Sequence, residues 1–357
     1  AARRGEGYAG FIRTRVERLM RPTLAFVVAW SALALIVQLF TNEGQGFERA
    51  TNVVAKPLWF LAVYMIAIGL APAMLALHRR FRWWVPVVLV TAAAVVDVVN
   101  LGANVSWVGY LNFAFVWLFP HQLGYFYADG TMTRWSRRTC ATVAAGGFGA
   151  LLVLVNLGVY SPSMVGMHSE RASNNDPPTV CLIALTVWLV GLALTFREPA
   201  RRMLERRRVW TVVVGANSMI MTIFLWHLTA LFCAVLTLYP LGWPQLEPGT
   251  TAWWLSRLVW IPLLAGFLTP FVLLFSRVER SGVGRRAETS RRPPTWLIVT
   301  AVGLLVGGLT GFALSGFEGL TRFGTGPFMG APPPLLSALA LILGIAITGA
   351  GARRDRP

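Results

Sequence analysis

Acidic residues are scarce in this sequence, which has 15 Asp and Glu residues against 32 Lys and Arg residues. Only 13% of the residues are charged, whereas a soluble domain has roughly a quarter. The three cysteines (Cys140, Cys181 and Cys233) lie in apolar segments and show no CxxC spacing. These features argue against a soluble globular protein, a disulfide framework and a cysteine-based metal site.

The motifs of soluble catalytic sites are also missing. The sequence contains no nucleophile elbow, no Gly-rich phosphate loop, no HExxH and no DxD of a sugar-nucleotide enzyme. The net charge of +17 would suit a nucleic-acid partner, but the basic residues sit in short segments between apolar runs. Basic loops orient membrane proteins, so we expect no nucleic-acid partner. Because the sequence shows no metal-binding motif, we also expect no bound metal.

Long apolar runs are what the sequence does contain, and apolar residues make up 55% of it. Each run is about the 20 residues that a helix needs to cross a membrane, and none shows the alternation of a β-barrel strand. The sequence therefore predicts an all-α polytopic transmembrane helical bundle with about ten spans. The predicted spans are Pro22–Phe40, Leu58–Leu77, Trp83–Asn100, Ser106–Tyr127, Thr139–Val159, Val180–Phe196, Val209–Leu238, Trp253–Phe275, Trp296–Leu314 and Leu335–Ala350.

The distribution of basic residues predicts the orientation of the chain in the membrane. With the N-terminal segment in the cytoplasm and the spans alternating, 27 of the 32 Lys and Arg residues fall on the cytoplasmic side. The positive-inside rule therefore predicts a multi-pass protein of the plasma membrane with both termini of this chain cytoplasmic. The longer segments predicted outside are Thr41–Pro57, Tyr160–Thr179, Pro240–Ala252 and Ser315–Pro334.

Charge and hydropathy also predict four parts along the chain. Residues 1–21 form a basic cytoplasmic segment, residues 22–276 a core of eight spans, and residues 277–294 a cytoplasmic linker. Residues 295–357 hold a final pair of spans and a short basic tail. That pair has almost no polar residues, which indicates packing or anchoring.

Polar residues inside spans are costly in lipid and often mark a site. Asp97 lies in the third span and is a candidate catalytic residue, or else a partner in a structural ion pair or helix–helix hydrogen bond. Asn217 and His227 lie in the seventh span about 80° apart around a continuous helix, so both can face one cavity. His227 would then lie roughly 27 Å along that helix, too far from an arginine pair at the cytoplasmic surface to contact the same phosphate group. A hydrogen bond between His227 and a neighbouring helix is the alternative.

Two further groups lie at predicted cytoplasmic ends of spans. His121 and Gln122, in the string Phe119-Pro-His-Gln-Leu-Gly124, are candidates for binding a ligand at the inner face, or they belong to an ordinary helix end. Arg15 and Arg18 lie one turn apart on one helix face, which suits phosphate recognition and equally suits a lipid-headgroup anchor.

Several strings together resemble the acyltransferase 3 family of multi-spanning membrane acyltransferases, in the form common in actinobacteria. The strings occur in order between residues 10 and about 275, and Leu-Trp226-His227 is the most recognisable. They are Gly10-Phe-Ile-Arg-Thr-Arg15-Val-Glu-Arg18-Leu-Met-Arg-Pro22, Pro57-Leu-Trp59-Phe-Leu-Ala-Val-Tyr64, Phe119-Pro-His121-Gln122-Leu-Gly124-Tyr-Phe-Tyr-Ala-Asp129-Gly130, Ser163-Met-Val-Gly166, Asn174–Thr179, and Asn217 with Met221-Thr-Ile-Phe-Leu-Trp226-His227.

The resemblance implies transfer of an acyl group, usually acetyl, from cytoplasmic acetyl-CoA or another acyl-CoA to a hydroxyl of an envelope glycolipid, polysaccharide or related glycoside. It implies that Arg15 and Arg18 lie near the CoA. We predict that His121 and Gln122 also bind this cofactor. His227 and Asp97 are the predicted catalytic residues, and His227 is expected to orient the acceptor or polarise the carbonyl rather than to act as the primary base. The residues predicted to bind the acceptor are Trp59, Tyr64, Asn217 and Trp226.

The sequence departs from the family at its start. The family's arginine pair normally follows its second helix, and its catalytic His lies on its first helix, about ten residues after an Arg. No residue of this chain matches that Arg–His motif, so we expect a truncated or internally started sequence that lacks two helices and is inactive alone. The first eight spans then match family helices three to ten.

Other function classes stay open on the sequence alone. They are a transporter or flippase of an envelope lipid or acyl-sugar, and a catalytically inactive scaffold. Internal repeats would favour a transporter, and we find none. Membrane lipid, the glycolipid or polysaccharide acceptor and envelope-assembly proteins are the expected partners.

Overall fold

The structure is a computed structural model that describes residues 7–40, 45–103, 105–162, 173–280, 294–322 and 332–348. Within these ranges the regular structure is helical, without a β-strand, which confirms the all-α multi-spanning bundle. The α-helices, in chain order, are α1 Tyr8–Phe40, α2 Gln45–Ala55, α3 Pro57–Phe81, α4 Trp84–Asp97, α5 Asn112–Ala128, α6 Arg137–Asn156, α7 Val180–Thr195, α8 Arg197–Leu204, α9 Arg207–Asn217, α10 Ile220–Leu238, α11 Thr251–Arg280, α12 Thr295–Ser315 and α13 Pro333–Thr348.

The ten predicted spans each coincide with helix, but the count of ten is not confirmed. By length and composition, seven helices of the described ranges are apolar enough to cross a membrane. An eighth span results if α7 and α8, which are bent by 57°, count as one. The predicted spans at Ser106–Tyr127 and Leu335–Ala350 overlap with α5 and α13, which have only 17 and 16 residues.

Two further differences concern the ends of elements. α1 starts at Tyr8, so the arginine pair lies on the same helix as the first span. The segment Thr41–Pro57, predicted as a loop, contains the helix α2. The predicted linker 277–294 and the motif Ser163–Gly166 lie mostly or wholly outside the described residues.

The chain divides into two compact units. The first unit is Ala1–Met65 with Thr211–Pro357, and the second is Ile66–Trp210. The pair α12 and α13 therefore belongs to the same unit as α1, α10 and α11. The four predicted domains remain a prediction.

Aromatic side chains form the core of the first unit. The Phe26 ring meets the Trp226 ring edge to face at a centroid distance of 5.2 Å and the Phe317 ring at 5.8 Å. Trp30 stacks on Phe317 and donates its Nε1 hydrogen to Thr229 Oγ1 at 3.2 Å. These contacts join α1, α10 and the turn after α12. Such ring pairs stabilise the packing beyond what the burial of their apolar surface contributes.

The second unit packs α4, α5 and α7 around Phe126, Phe119 and Leu89. Close approach of α6 and α7 depends on glycine. A Cβ added at Gly147 would lie 2.5 Å from the backbone nitrogen of Trp188, and one at Gly191 would lie 2.5 Å from that of Ala144. Small residues allow such contacts between membrane helices, where burial in lipid adds little driving force.

Candidate functional site

A cavity of about 820 Å³ in the first unit contains several of the predicted site residues. Helices α1, α3 and α10 form its walls. Its lining residues are Thr14, Arg15, Arg18, Leu19, Phe60, Leu61, Tyr64, Ile220, Met221, Ile223, Phe224 and His227. The cavity therefore brings together four residues that the sequence singled out: Arg15, Arg18, Tyr64 and His227.

The α1 wall supplies the positive charge of this cavity. The Arg15 guanidinium lies over the Phe11 ring, 3.6 Å from its centroid, and donates a hydrogen bond to the Phe11 carbonyl at 3.2 Å. Arg18 is exposed, and no partner for its guanidinium lies within the described residues. None of the described lining residues is acidic. The two guanidinium groups are thus uncompensated and suit an anionic ligand.

The α10 wall supplies a hydrogen-bond acceptor. His227 Nδ1 lies within hydrogen-bond distance of the Phe224 carbonyl, which can only accept, so Nδ1 carries a proton. In the neutral imidazole Nε2 is then an unprotonated acceptor. The Phe224 ring packs against His227 at 5.9 Å and against Phe60 at 5.3 Å, which links α10 to α3 beside the cavity.

The prediction of one continuous span over Val209–Leu238 is wrong, because the helix is interrupted at Ser218–Met219, between α9 and α10. The Ser218 hydroxyl and backbone N–H both donate to the Gly215 carbonyl, which closes a tight turn in place of the helix. His227 therefore lies roughly 10 Å along α10 from Ile220, instead of roughly 27 Å along one helix. His227 lines the same cavity as Arg15 and Arg18. The expectation that it lies at a separate depth, away from the arginine pair, is therefore wrong.

Three predicted acceptor-binding residues of the first unit do not line this cavity. Trp226 is 5% exposed and stacks on Phe275 at 4.2 Å and on Phe271 at 5.0 Å, so it is a core residue. Asn217 is exposed at the end of α9, where the helix break removes the predicted relation to His227. Trp59 is half-buried next to Phe60.

Asp97 lies in the second unit and joins three segments. Its carboxylate accepts hydrogen bonds from Asn112 Nδ2 at 2.7 Å, from the Tyr160 hydroxyl at 3.1 Å and from the Val180 backbone N–H at 2.9 Å. It is 2% exposed and precedes a π-helical turn, Val98–Gly102. These contacts match the structural alternative, and the catalytic role of Asp97 remains an untested prediction.

His121 and Gln122 also lie in the second unit. Gln122 is fully buried, with its Nε2 2.9 Å from His78 Nδ1, while His78 Nε2 lies 3.1 Å from Asp129 Oδ2. His121 packs edge to face against Tyr125 at 5.0 Å. The contacts of Gln122 are those of a helix end held to α3, and the predicted cofactor contact remains untested.

Asp129 follows α5 and stays ionised in this arrangement. Hydrogen bonds from the Thr131 side chain and backbone, with His78 and Arg82 adding to them, lower the pKa of Asp129 to about 2. His78 was not predicted, although His78, Arg79 and Arg80 at the end of an apolar run are a visible signal of a helix end at the membrane surface.

Glu279 was also missed by the sequence reasoning. It lies in the last turn of α11, in the stretch predicted as linker, and accepts hydrogen bonds from the start of α10. An acidic residue adjoining an apolar span was the signal available. In the part of the chain that the structure describes, no three His, Cys, Asp or Glu side chains lie close enough together to hold a metal ion.

Comparison with known proteins gives a single result. The family model of the acyltransferase domain, acyltransferase 3 type, matches residues 1–277. Neither the curated proteins nor the solved structures include a match to the chain.

Proposed function

The chain belongs to the acyltransferase 3 family of membrane acyltransferases, and on that premise we propose that it transfers an acetyl or related acyl group from acyl-CoA to a hydroxyl of an envelope glycoside. The observation that carries the proposal is the cavity that Arg15, Arg18 and His227 all line. The acceptor class, a glycolipid, polysaccharide or related glycoside, rests on the resemblance to the family.

The charge of the cavity supports acyl-CoA as the donor. CoA carries several phosphate charges, and guanidinium groups bind phosphate oxygens through paired hydrogen bonds. The apolar lining residues Phe60, Leu61, Ile220 and Ile223 provide a surface for the uncharged arm and the acyl group. The arginines can therefore hold the charged end of the donor while its thioester lies further along the same cavity.

Because no residue of this chain matches the family's Arg–His motif, we propose that His227 Nε2 takes the proton, a role beyond the orienting one expected from the sequence. The acceptor hydroxyl oxygen attacks the thioester carbonyl carbon as its proton passes to Nε2, and the new C–O bond forms. The C–S bond then breaks, and the leaving thiolate takes the proton back from the imidazolium. The Nδ1–H bond to Phe224 holds the ring in the tautomer that this step needs.

The test of the donor site is the double substitution Arg15→Ala with Arg18→Ala in the full chain. We expect the KM for acyl-CoA to rise by roughly tenfold or more, or donor binding to be lost, because two charge-assisted contacts disappear. Initial-rate kinetics and a direct binding assay with acetyl-CoA measure both quantities. Membrane insertion should persist.

The matched control is Arg13→Ala with Arg21→Ala, two arginines of the same helix that do not line the cavity. This pair removes the same charge from α1 and should leave the KM near its parent value. Unchanged affinity in the Arg15 and Arg18 variant, or an equal loss in both variants, argues against the proposed donor site.

A further inference from the structure

The first turn of α10 is held by a side chain from another helix. The residue at its N-cap position, Met219, makes no side-chain cap. The Glu279 carboxylate of α11 instead accepts the Met221 N–H at 3.1 Å and the Thr222 N–H at 2.9 Å. It also accepts the Thr222 hydroxyl at 2.7 Å. Glu279 thus does for α10 what a local Ser, Thr or Asp does at most helix starts.

Local alternatives to Glu279 are used elsewhere or lacking. The hydroxyl of Ser218 donates to the Gly215 carbonyl at the end of α9. Glu279 is only 8% exposed, so its charge is stabilised by its three donors and by the positive end of the α10 dipole. Loss of the carboxylate would leave the buried N–H group of Thr222 and the partly buried N–H group of Met221 without their acceptor.

The turn that Glu279 holds forms one wall of the cavity. Ile220, Met221, Ile223 and Phe224 line it, and His227 follows one turn after Ile223. Because the helix is interrupted just before α10, continuous backbone hydrogen bonding from α9 does not fix the rotation and axial position of α10. We infer that Glu279 is a positioning residue that sets α10, and thereby His227 Nε2, relative to the arginines of α1. The role in acyl transfer rests on the proposed function.

A chemical test reads the position of His227 without using activity. Diethylpyrocarbonate modifies unprotonated imidazole, and mass spectrometry of the peptides separates His227 from the other three histidines. In Glu279→Gln the volume is kept, but the new NH₂ group opposes the backbone donors, so we expect a severalfold change in the modification rate of His227. The rate at His121, which lies in the second unit and is partly exposed, serves as the internal reference.

Kinetics give the second readout. Glu279→Gln should lower kcat by roughly ten- to a hundredfold, because a small misplacement of a reacting group costs that much, while the KM for acyl-CoA stays near the parent value. Thr222→Val removes only the hydroxyl donor and should cause a smaller loss of the same kind. Glu247→Gln, an exposed glutamate in the α10–α11 turn, is the matched control and should behave like the parent.

The outcomes separate this inference from the proposed function. An unchanged His227 modification rate in Glu279→Gln overturns the positioning role, whatever the activity. A rise in the donor KM with kcat intact also overturns it. A parent chain that transfers no acyl group contradicts the proposed function, while the modification rates still decide whether Glu279 positions His227. Where Glu279→Ala does not fold, Glu279→Gln and Thr222→Val supply the same readouts.

Discussion

At the scale of the residue, the two nitrogens of His227 have different tasks. Nδ1 is held by a carbonyl of its own helix, and Nε2 is the nitrogen to which the proposed function assigns the proton transfer. His227 is exposed, whereas its neighbour Trp226 is buried between Phe26, Phe271 and Phe275. In the string Leu-Trp226-His227, Trp226 therefore packs against the neighbouring helices, whereas His227 faces the cavity.

Replacing His227 with Ala should lower kcat by roughly 10²- to 10⁴-fold, the range typical for loss of a general base. Donor affinity and thermal stability should hardly change, because the side chain is exposed and its hydrogen bond lies within one helix. Steady-state kinetics, acetyl-CoA binding and a thermal melt in detergent measure the three effects. A parallel loss of activity and melting temperature would make His227 a packing residue instead.

At the scale of the element, glycines determine how closely the helices of the second unit approach. Gly147 of α6 faces the backbone of α7 at Trp188, and Gly191 of α7 faces that of α6 at Ala144. The neighbouring Gly146 has no atom within 4 Å of an added Cβ. Two adjacent glycines of one helix thus differ only in what they face.

Substitution of Gly147 and of Gly146 by alanine should affect stability differently. Gly147→Ala should destabilise the protein by about 1–3 kcal/mol, since a methyl group cannot fit against backbone atoms at 2.5 Å. Gly146→Ala should be neutral or stabilise by up to about 1 kcal/mol, because alanine favours helix over glycine. Melting temperatures in one detergent give the comparison, and equal effects would show that α6 and α7 do not pack through Gly147.

At the scale of the whole molecule, the asymmetry of basic residues predicts the orientation. The helix ends predicted on the cytoplasmic side include the arginine-rich α8 and the start of α9, while the segment Tyr160–Thr179 is predicted outside. The fold itself is compatible with either orientation, because helix packing does not depend on which side is cytoplasmic.

Cysteine labelling tests the orientation directly. In a variant without the native cysteines, Ser173→Cys should react with a membrane-impermeant thiol reagent added to intact cells. Arg202→Cys, an exposed residue of α8, should react only after the membrane is opened. The reverse pattern would invert the predicted topology.

The sequence by itself determined the helices and the class of protein. In lipid every backbone polar group must be bonded within its own segment, so an apolar run of sufficient length becomes a helix whatever its neighbours are. Hydropathy therefore located helix at all ten predicted spans, and ordered short strings identified the family. Local polarity also marked Arg15, Arg18 and His227 as site residues.

Only the tertiary structure decided which of these residues line the same cavity. Arg15 and His227 are more than two hundred positions apart, and Glu279 follows Thr222 by 57 residues. Hydropathy is a property of one segment and carries no information about which helix faces cross, so it treated Val209–Leu238 as one span. The break at Ser218–Met219 is stabilised by a carboxylate of another helix, and a contact of that kind exists only once both helices are packed.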